Sequence, residues 1–227
     1  MTHARHRLAI AAAALTAAAL MTTGCQSEDS DSGGGGGDEA AALSLSGLTA
    51  IADDVPKDGA DTCPLSYDIG AAAKAAGVDG EAGPVGADGD TPAATAEGGE
   101  RAEAGEPLAE NPGALVSCTF RIGADDVQVH TVATRDPSAI TVLAPTISPL
   151  TGMSTDDAVD YVNTAAKADA GEVLVADSGN VATVRLKLDG SGDAALLVGA
   201  GEGGSASLER QQVEGLARAL AEQVRVR

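Results

Sequence analysis

The stretch LVSCTFRIGADDVQVHTVATR, residues 115–135, predicts more of the fold than any other part of the chain. β-Branched residues and the alternation of apolar with polar positions predict two strands, at residues 115–122 and 127–135. Between them lies Gly123-Ala124-Asp125-Asp126, whose residue types favour a tight turn. The pattern therefore predicts a β-hairpin that carries Cys118 on its first strand.

Outward from this hairpin, the chain alternates between helical and extended patterns. Helices are predicted at residues 66–76, 154–168 and 209–224. Further strands are predicted at residues 140–143, 172–176, 181–188 and 194–200, and a loop at residues 144–153 because it contains Pro145 and Pro149. Ser154 and Asp157 form a variant of the capping box at the start of the middle helix.

The order of these elements predicts the fold class. One helix precedes the hairpin, and a second helix precedes the next group of strands, so the order fits two α-β-β halves. Short turns between neighbouring strands favour antiparallel pairing. The sequence therefore predicts an α+β fold, with one antiparallel sheet of about five to six strands and with helices packed on a face.

The first 24 residues have the composition of an export signal. Arg5 and Arg7 precede an apolar run at residues 8–21, which is too short for a comfortable membrane span. The following Thr22-Thr23-Gly24-Cys25 resembles the lipobox of bacterial lipoproteins, although that family usually has Leu where this chain has Thr22. The resemblance implies that the signal is cut before Cys25 and that Cys25 is acylated. The alternative is an ordinary signal cut near Gly24, which would leave a free secreted protein.

Two cysteines remain after Cys25 is assigned to the lipid. Cys63 and Cys118 would then lie in an oxidising compartment outside the cytoplasm, where a disulfide is the default state of a cysteine pair. The alternative, a metal site, lacks further ligands nearby in the sequence. The sequence therefore predicts a disulfide between these two residues, with no metal and no cofactor.

Composition divides the exported chain into a tether and a domain. Residues 25–59 begin with polar residues and the run Gly33–Gly37, which predicts a flexible acidic tether. Residues 60–227 are predicted to form a single domain. Within it, residues 77–113 are rich in Gly, Pro and acids, which predicts a disordered insertion. Its Asp88-Gly89-Asp90 lacks the spaced oxygen ligands of a calcium loop, so the two aspartates are interpreted as solvent-exposed acidic residues.

Two further patterns resemble functional motifs. The run Gly199-Ala200-Gly201-Glu202-Gly203-Gly204 matches G-x-G-x-x-G, but no second parallel strand follows the last helix. A strand-to-helix turn is the preferred interpretation. His130 is the only histidine after residue 24 and alternates to the face opposite Val129, where a surface histidine is predicted rather than a ligand or a catalytic base.

Charge and composition limit the function classes. Without residues 1–24, the chain has 12 basic and 34 acidic residues, a net charge of −22. This sign disfavours nucleic acid and anionic lipid surfaces as partners. No G-x-S-x-G motif accompanies the single histidine, which argues against a serine hydrolase; a hydrolase that uses only carboxylates stays open, but no pair of acids stands out.

The residues Cys63-Pro64-Leu65, Ser117-Cys118-Thr119-Phe120 and the last helix together resemble small actinobacterial cell-envelope lipoproteins of unknown function. Three functions are considered: a tethered binding module for an envelope protein or small ligand, a structural envelope lipoprotein, and an enzyme. The first is favoured. The predicted location is the extracytoplasmic face of the cell membrane, with the lipid bilayer as a partner through acylated Cys25.

Overall fold

The hairpin predicted at residues 115–135 forms the centre of the observed sheet. In a computed structural model, which describes residues 41–85 and 92–226, strand β4 (Gly113–Ile122) pairs antiparallel with β5 (Asp125–Thr134) along its whole length. Gly123 and Ala124 form the turn, and Gly123 has a φ of 58°, which glycine adopts without strain. The hairpin prediction is confirmed.

The other elements of the described residues surround this hairpin. The helices are α1 (Leu45–Asp54), α2 (Ile69–Ala75), α3 (Pro107–Glu110), α4 (Ala139–Val142), α5 (Ala144–Thr151), α6 (Thr155–Ala165) and α7 (Arg210–Gln223). The remaining strands are β1 (Ala41–Ala42), β2 (Ala82–Pro84), β3 (Ala94–Gly98), β6 (Val173–Val175), β7 (Val181–Leu186), β8 (Asp193–Ala200) and β9 (Arg225–Val226).

The main sheet is antiparallel throughout. Its strand order is β2-β4-β5-β8-β7-β6, and β3 also pairs with β4, beside β2. The hairpin β4–β5 and the hairpin β7–β8 meet through the pairing of β5 with β8. A separate short pair joins β1 to β9. The predicted α+β fold with an antiparallel sheet is confirmed.

Helices cover both faces of the sheet, whereas the sequence predicted helices on one face. Alternate residues of each central strand belong to different apolar clusters: Val116 and Leu196 face one side, and Leu115 and Leu197 face the other. The first side is the α7 face, which is covered by α1, α2 and α7. The second is the α6 face, which is covered by α3, α4, α5 and α6. The sheet is therefore buried on both sides, like the middle layer of a sandwich.

The observed domain begins earlier than the sequence predicted. Residues 25–59 were predicted as a tether, but α1 lies at Leu45–Asp54, and Leu48 and Ala52 are fully buried on the α7 face. Ser44 caps this helix by accepting a hydrogen bond from the backbone N–H of Gly47 (3.1 Å). The helix escaped prediction because its apolar face is short and lies inside an acidic, Gly-rich context. The rest of the tether, residues 25–40, lies outside the described residues.

The segment predicted as a disordered insertion also contains ordered elements. Within residues 77–113, β2 and β3 pair with β4, and Leu108 of α3 is buried on the α6 face. The Arg101 guanidinium donates to the backbone oxygens of Val55 (2.8 Å) and Ala52, which satisfies the end of α1. Strand pairing uses backbone groups, so a segment of weak side-chain pattern still extends a sheet whose edge it meets. Asp88-Gly89-Asp90 lies outside the described residues.

A strand and a loop predicted at residues 140–153 are helical. Residues 140–143 fall in α4 and its end, and the first turn of α4 is anchored because the Asp193 carboxylate accepts from the backbone N–H of Ala139 (3.0 Å). Short apolar runs do not separate strand from helix. Pro145 stands in the first turn of α5, where its missing N–H is not needed, and Gly152 ends that helix with a φ of 67°.

The three predicted helices are present. Asp68 caps α2 and Gly77 follows it with a φ of 68°. Ser154 caps α6 by accepting from the backbone N–H of Asp157 (3.2 Å), but the Asp157 carboxylate accepts from the Ser154 hydroxyl (2.7 Å) and not from its backbone N–H, so the predicted capping box is only half formed. The predicted apolar stripe of α7 is buried against the sheet: Val213, Leu216, Ala217, Leu220 and Val224.

Candidate functional site

The predicted acylation site lies outside the described residues. The structure describes the chain from Ala41 onward, so Cys25 and the signal at residues 1–24 stay predictions. None of the described helices is long and apolar enough to cross a membrane.

The predicted disulfide pair lies on the α7 face. The sulfur atoms of Cys63 and Cys118 are at bonding distance, with 5.4 Å between the Cα atoms, which is compatible with the predicted disulfide. Cys118 is buried on β4, and Cys63 is half-buried in the segment before α2. Tyr67 packs edge-to-face on Phe120 and hydrogen-bonds the hydroxyl of Thr131 on β5 (2.5 Å). The pair thus fixes the segment before α2 to the sheet.

His130 is buried, so the prediction of a surface histidine was wrong. It lies on β5 between Ser117 of β4 and Leu197 of β8, on the α6 face, and only 7% of its surface is exposed. Its Nδ1 atom is hydrogen-bonded to the Ser117 hydroxyl (2.7 Å). Its Nε2 atom is buried with no hydrogen-bond partner among the described residues. Burial lowers the pKa of His130 to about 4.

The Ser117–His130 pair has the atoms of a hydrolytic dyad but lacks its geometry. In such a dyad, one ring nitrogen takes the serine proton while a carboxylate orients the other nitrogen. Here no described carboxylate reaches Nε2, and a pKa near 4 makes the imidazole a weak base at neutral pH. The pair therefore supports a structural role: a hydroxyl and a ring nitrogen satisfy each other across two strands.

A larger polar site lies where α1 crosses the ends of the sheet. An open groove of about 690 Å³, here called the α1 groove, is formed by one side of α1 from Ser44 to Asp53, residues 99–100, residues 112–113, Arg135 and residues 189–191. These segments come from distant parts of the chain. The volume is in the range of small-ligand sites.

The α1 groove combines hydroxyl groups with charges of both signs. Its hydroxyls belong to Ser44, Ser46, Thr49 and Ser191, and its charged groups to Asp53, Glu100, Asp189 and Arg135. Some of these are used within the fold: the Ser44 hydroxyl caps α1, Thr49 donates to the backbone oxygen of Leu45 (2.9 Å), and Asp53 accepts from the backbone N–H of Glu100 (2.9 Å).

The remaining polar groups of the groove are not used. No hydrogen bond or ion pair within the described part of the chain engages the side chains of Ser46, Glu100, Arg135, Asp189 or Ser191. The backbone at Arg135 is held, because its N–H donates to the oxygen of Pro112 (2.9 Å). The groove therefore presents one guanidinium and two carboxylates from positions that the fold fixes, without partners of their own.

Sequence reasoning did not find this groove. Its residues are separated by up to about 150 positions and form no local motif, and the helix that lines it was predicted as part of the tether. The one signal was Arg135, a lone cation at the end of a predicted strand in a strongly acidic chain.

The glycine motif at residues 199–204 covers the end of β8 and the turn that follows it, which agrees with the predicted strand-to-helix turn. β8 lies between β5 and β7, and both pairings are antiparallel, so the strand is not part of a parallel dinucleotide fold. Gly201, Gly203 and Gly204 have φ values of 63°, 59° and 77° and reverse the chain before α7. A side chain at Gly201 would collide with the backbone oxygen of Ser205.

The described residues hold no group of three or more His, Cys, Asp or Glu side chains placed to bind a metal ion. Comparison of the chain with protein-family models, with curated proteins and with solved structures gives no match in any of the three.

Proposed function

We propose that this chain is a lipid-anchored protein of the extracytoplasmic face of the cell membrane, and that its folded domain is a non-catalytic binding module. The observation that carries the binding role is the α1 groove, with its unused guanidinium, carboxylates and hydroxyls. The groove gathers these groups from separate segments of the chain into one concave surface, which is the kind of place where a small ligand or a partner segment binds.

The anchor rests on the sequence. A basic segment, a short apolar run and small residues before Cys25 support export and acylation, and two acyl chains suffice for stable attachment because each buried CH₂ contributes about 0.8 kcal/mol. The acidic domain supplies no such affinity, since its charge repels an anionic lipid surface. The bilayer is therefore a partner through Cys25, and an envelope protein or small molecule is the partner of the groove.

The anchor is tested with Cys25→Ser. We expect the wild-type protein in the membrane fraction with a labelled acyl chain, and the variant in the soluble fraction without the label. A Cys25→Ser protein that stays in the membrane fraction after its signal has been cut would contradict the anchor.

The binding role is tested by photo-crosslinking on the full acylated chain in intact cells. A benzophenone amino acid at Ser46, an exposed position in the groove, should give a discrete adduct. The same probe at Ala75, an exposed position on α2 outside the groove, is the matched control. Equal labelling at both positions, or none at either, would count against a binding module.

A further inference from the structure

The two sulfur atoms of the predicted disulfide differ in how a reagent can reach them. Cys118 is buried on β4 with 1% of its surface exposed, whereas Cys63 is half-buried and lines an open pocket of about 370 Å³. We propose that Cys63 is a thiol-exchange site, at which a small thiol opens the disulfide while Cys118 stays in the core. The inference rests on the predicted disulfide and does not depend on the α1 groove.

The pocket beside Cys63, here called the Cys63 pocket, gives a thiol access to one of the two sulfur atoms. It is formed mostly by residues of the segment 62–69, together with Pro84 of β2 and Phe120 of β4. Cys118 belongs instead to the apolar cluster of the α7 face, on a strand that is paired on both sides. Because exchange begins when a thiolate reaches a sulfur atom, access decides which of the two is attacked.

The segment that carries Cys63 has few other ties. Ala60 exchanges two backbone hydrogen bonds with Ala94 (2.8 and 3.0 Å), and the Tyr67 hydroxyl is hydrogen-bonded to β5. Between these anchors, no hydrogen bond or ion pair within the described part of the chain engages residues 61–64. Once the disulfide is open, Cys63 is therefore free to turn toward solvent, while β4 keeps its pairing with β3 and β5.

The exchange balances with a monothiol and with a dithiol. The incoming thiolate bonds to Sγ of Cys63, the bond between the two cysteines breaks, and its electron pair leaves with Sγ of Cys118, which takes a proton from water. The products are a mixed disulfide at Cys63 and a buried thiol at Cys118. With a dithiol, the second thiolate of the reagent attacks the mixed disulfide, so Cys63 leaves as a thiol and the reagent is oxidised to its own disulfide.

The charge of the Cys63 pocket favours one class of thiol. Among the described residues that line the pocket, Asp68 is the only charged one, and its carboxylate is fixed because it accepts from the backbone N–H of Ala71 (2.8 Å). A carboxylate in the pocket repels an anionic thiol and attracts a cationic one. We therefore expect neutral and cationic thiols to react faster at Cys63 than anionic thiols of similar size.

The test uses residues 25–227 with Cys25→Ser, in which Cys63 and Cys118 are the only cysteines. The protein is exposed briefly to cysteamine, quenched with acid, alkylated at its free thiol and digested, and mass spectrometry identifies the cysteine that carries the mixed disulfide. In the native protein, we expect cysteamine on Cys63 at least about tenfold more often than on Cys118. In urea, where both sulfur atoms are exposed, the two positions should be labelled about equally often.

A matched pair of variants tests the thiol preference. Asp68→Asn keeps the cap of α2, since asparagine caps a helix as well as aspartate does, but it removes the charge from the pocket. It should raise the rate of exchange with 2-mercaptoethanesulfonate, relative to the rate with cysteamine, by about twofold. Asp160→Asn, at an exposed carboxylate of α6 outside the Cys63 pocket, is the control and should leave this ratio unchanged.

Hydrogen exchange separates access through the pocket from unfolding. In the cysteamine adduct, amide exchange should increase at residues 61–66 while the amides of β4 stay protected. Loss of protection in β4, or labelling of Cys118 as often as Cys63 in the native protein, would show that thiols react with an unfolded chain and would overturn the exchange site.

The remaining outcomes also decide the inference without reference to the proposed function. Two free thiols in the untreated protein, or no adduct in the native protein while the protein in urea reacts, would overturn the exchange site. An unchanged ratio of rates in Asp68→Asn would overturn the preference for cationic thiols. The lipid anchor and the α1 groove are tested by separate experiments, so the failure of this inference leaves the proposed function standing.

Discussion

The two faces of the sheet bury different chemistry. The α7 face is almost wholly apolar between the sheet and its helices, with Cys118 and Phe120 beside large aliphatic residues such as Leu216 and Leu220. The α6 face has apolar residues of its own, but it also buries His130, Asn180 and Thr183.

The polar side chains of the α6 face bind fixed local partners, although His130 Nε2, Asn180 Oδ1 and Arg185 Nε have no hydrogen-bond partner among the described residues. The Asn180 amide donates to the backbone oxygens of Leu150 and Ala200, at 2.9 and 3.0 Å. Arg185 pairs with Asp193 at 3.0 Å, and the other oxygen of Asp193 holds the start of α4. These bonds fix where the helices of the α6 face sit, while burial of apolar surface is the main stabilising term on the α7 face.

The comparison teaches that the two faces respond to different perturbations. The α7 face depends on buried apolar area and on the Cys63–Cys118 disulfide. Reduction of the disulfide, or truncation of the apolar side chains, should therefore destabilise this face most. The α6 face depends on the protonation state and the hydrogen bonds of buried polar groups. Its stability should therefore respond to pH and to the loss of single hydrogen bonds.

The largest effect is expected on the α7 face, from removal of the Cys63–Cys118 link. The two cysteines are 55 positions apart, and the chain-entropy account of such a loop gives about 4 kcal/mol of stabilisation. The variant with Cys63→Ala and Cys118→Ala should lose about this much free energy of unfolding in urea. Thiol titration of the wild type under denaturing, non-reducing conditions checks the link itself, and two reactive thiols per chain would rule it out.

The next effect is expected on the α6 face, from acid. The pKa of His130 is about 4 in the fold and near 6.5 in the unfolded chain, so the unfolded chain binds more protons between these values. The free energy of unfolding therefore falls as the pH falls from 6.5 toward 4. From pH 7.5 to pH 5 this amounts to about 2 kcal/mol.

The matched variant for this effect is His130→Gln, which keeps a hydrogen-bonding partner for Ser117 but does not titrate. Urea unfolding at both pH values should show the wild type losing about 2 kcal/mol more than the variant, because the carboxylates are common to both proteins. Equal losses would mean that His130 is not buried in its neutral form.

A smaller effect can be compared directly between the faces, since each face has one tyrosine bonded to a threonine of the sheet. Tyr67 bonds Thr131 on the α7 face, and Tyr161 bonds Thr183 on the α6 face (3.0 Å) and donates to the oxygen of Leu174 (2.8 Å). Burial raises the pKa of Tyr161 to about 12, so its hydroxyl stays protonated.

Tyr67→Phe and Tyr161→Phe should each lower the free energy of unfolding by about 1–3 kcal/mol, because a buried threonine hydroxyl loses its partner. Tyr161→Phe should cost more, since it also frees a backbone oxygen. Adding Thr131→Val or Thr183→Val should recover part of each loss, and a double-mutant cycle measures the recovery. A pair of additive effects would show that the bond contributes nothing.

The sequence predicted the elements whose side chains follow a clear period. Apolar residues recur every two positions in the strands of the hairpin and about every 3.6 positions in α7, which are the periods of a strand and of a helix with one buried face. β2 and β3 were missed because they add to the edge of β4 through backbone bonds. α4 was missed because a short, mostly apolar run fits either structure. α5 was missed because Pro145 in its first turn and Pro149 inside it are typical of a loop.

The candidate site was less predictable than the fold. The alternation of the strand correctly predicted that His130 and Val129 lie on opposite faces of the sheet. It could not predict that the face of His130 is buried, because that depends on the helices that pack over the α6 face. The α1 groove needs five segments to meet, and no single-sequence pattern reports such a meeting.

The smallest effect tests whether local capping is independent of the face. Ser44 caps α1 on the α7 face by accepting from Gly47 (3.1 Å), and Ser154 caps α6 on the α6 face by accepting from the backbone N–H of Asp157 (3.2 Å). A serine cap contributes about 1 kcal/mol whatever lies beneath the helix, since it satisfies a backbone N–H that the helix leaves open. Ser44→Ala and Ser154→Ala should therefore lower the free energy of unfolding by about the same amount in urea. Ser191→Ala, at an exposed hydroxyl with no described partner, is the control and should change it by less than about 0.5 kcal/mol. A difference of more than about 1 kcal/mol between the two caps would show that the faces also differ in how strongly they hold their helix ends.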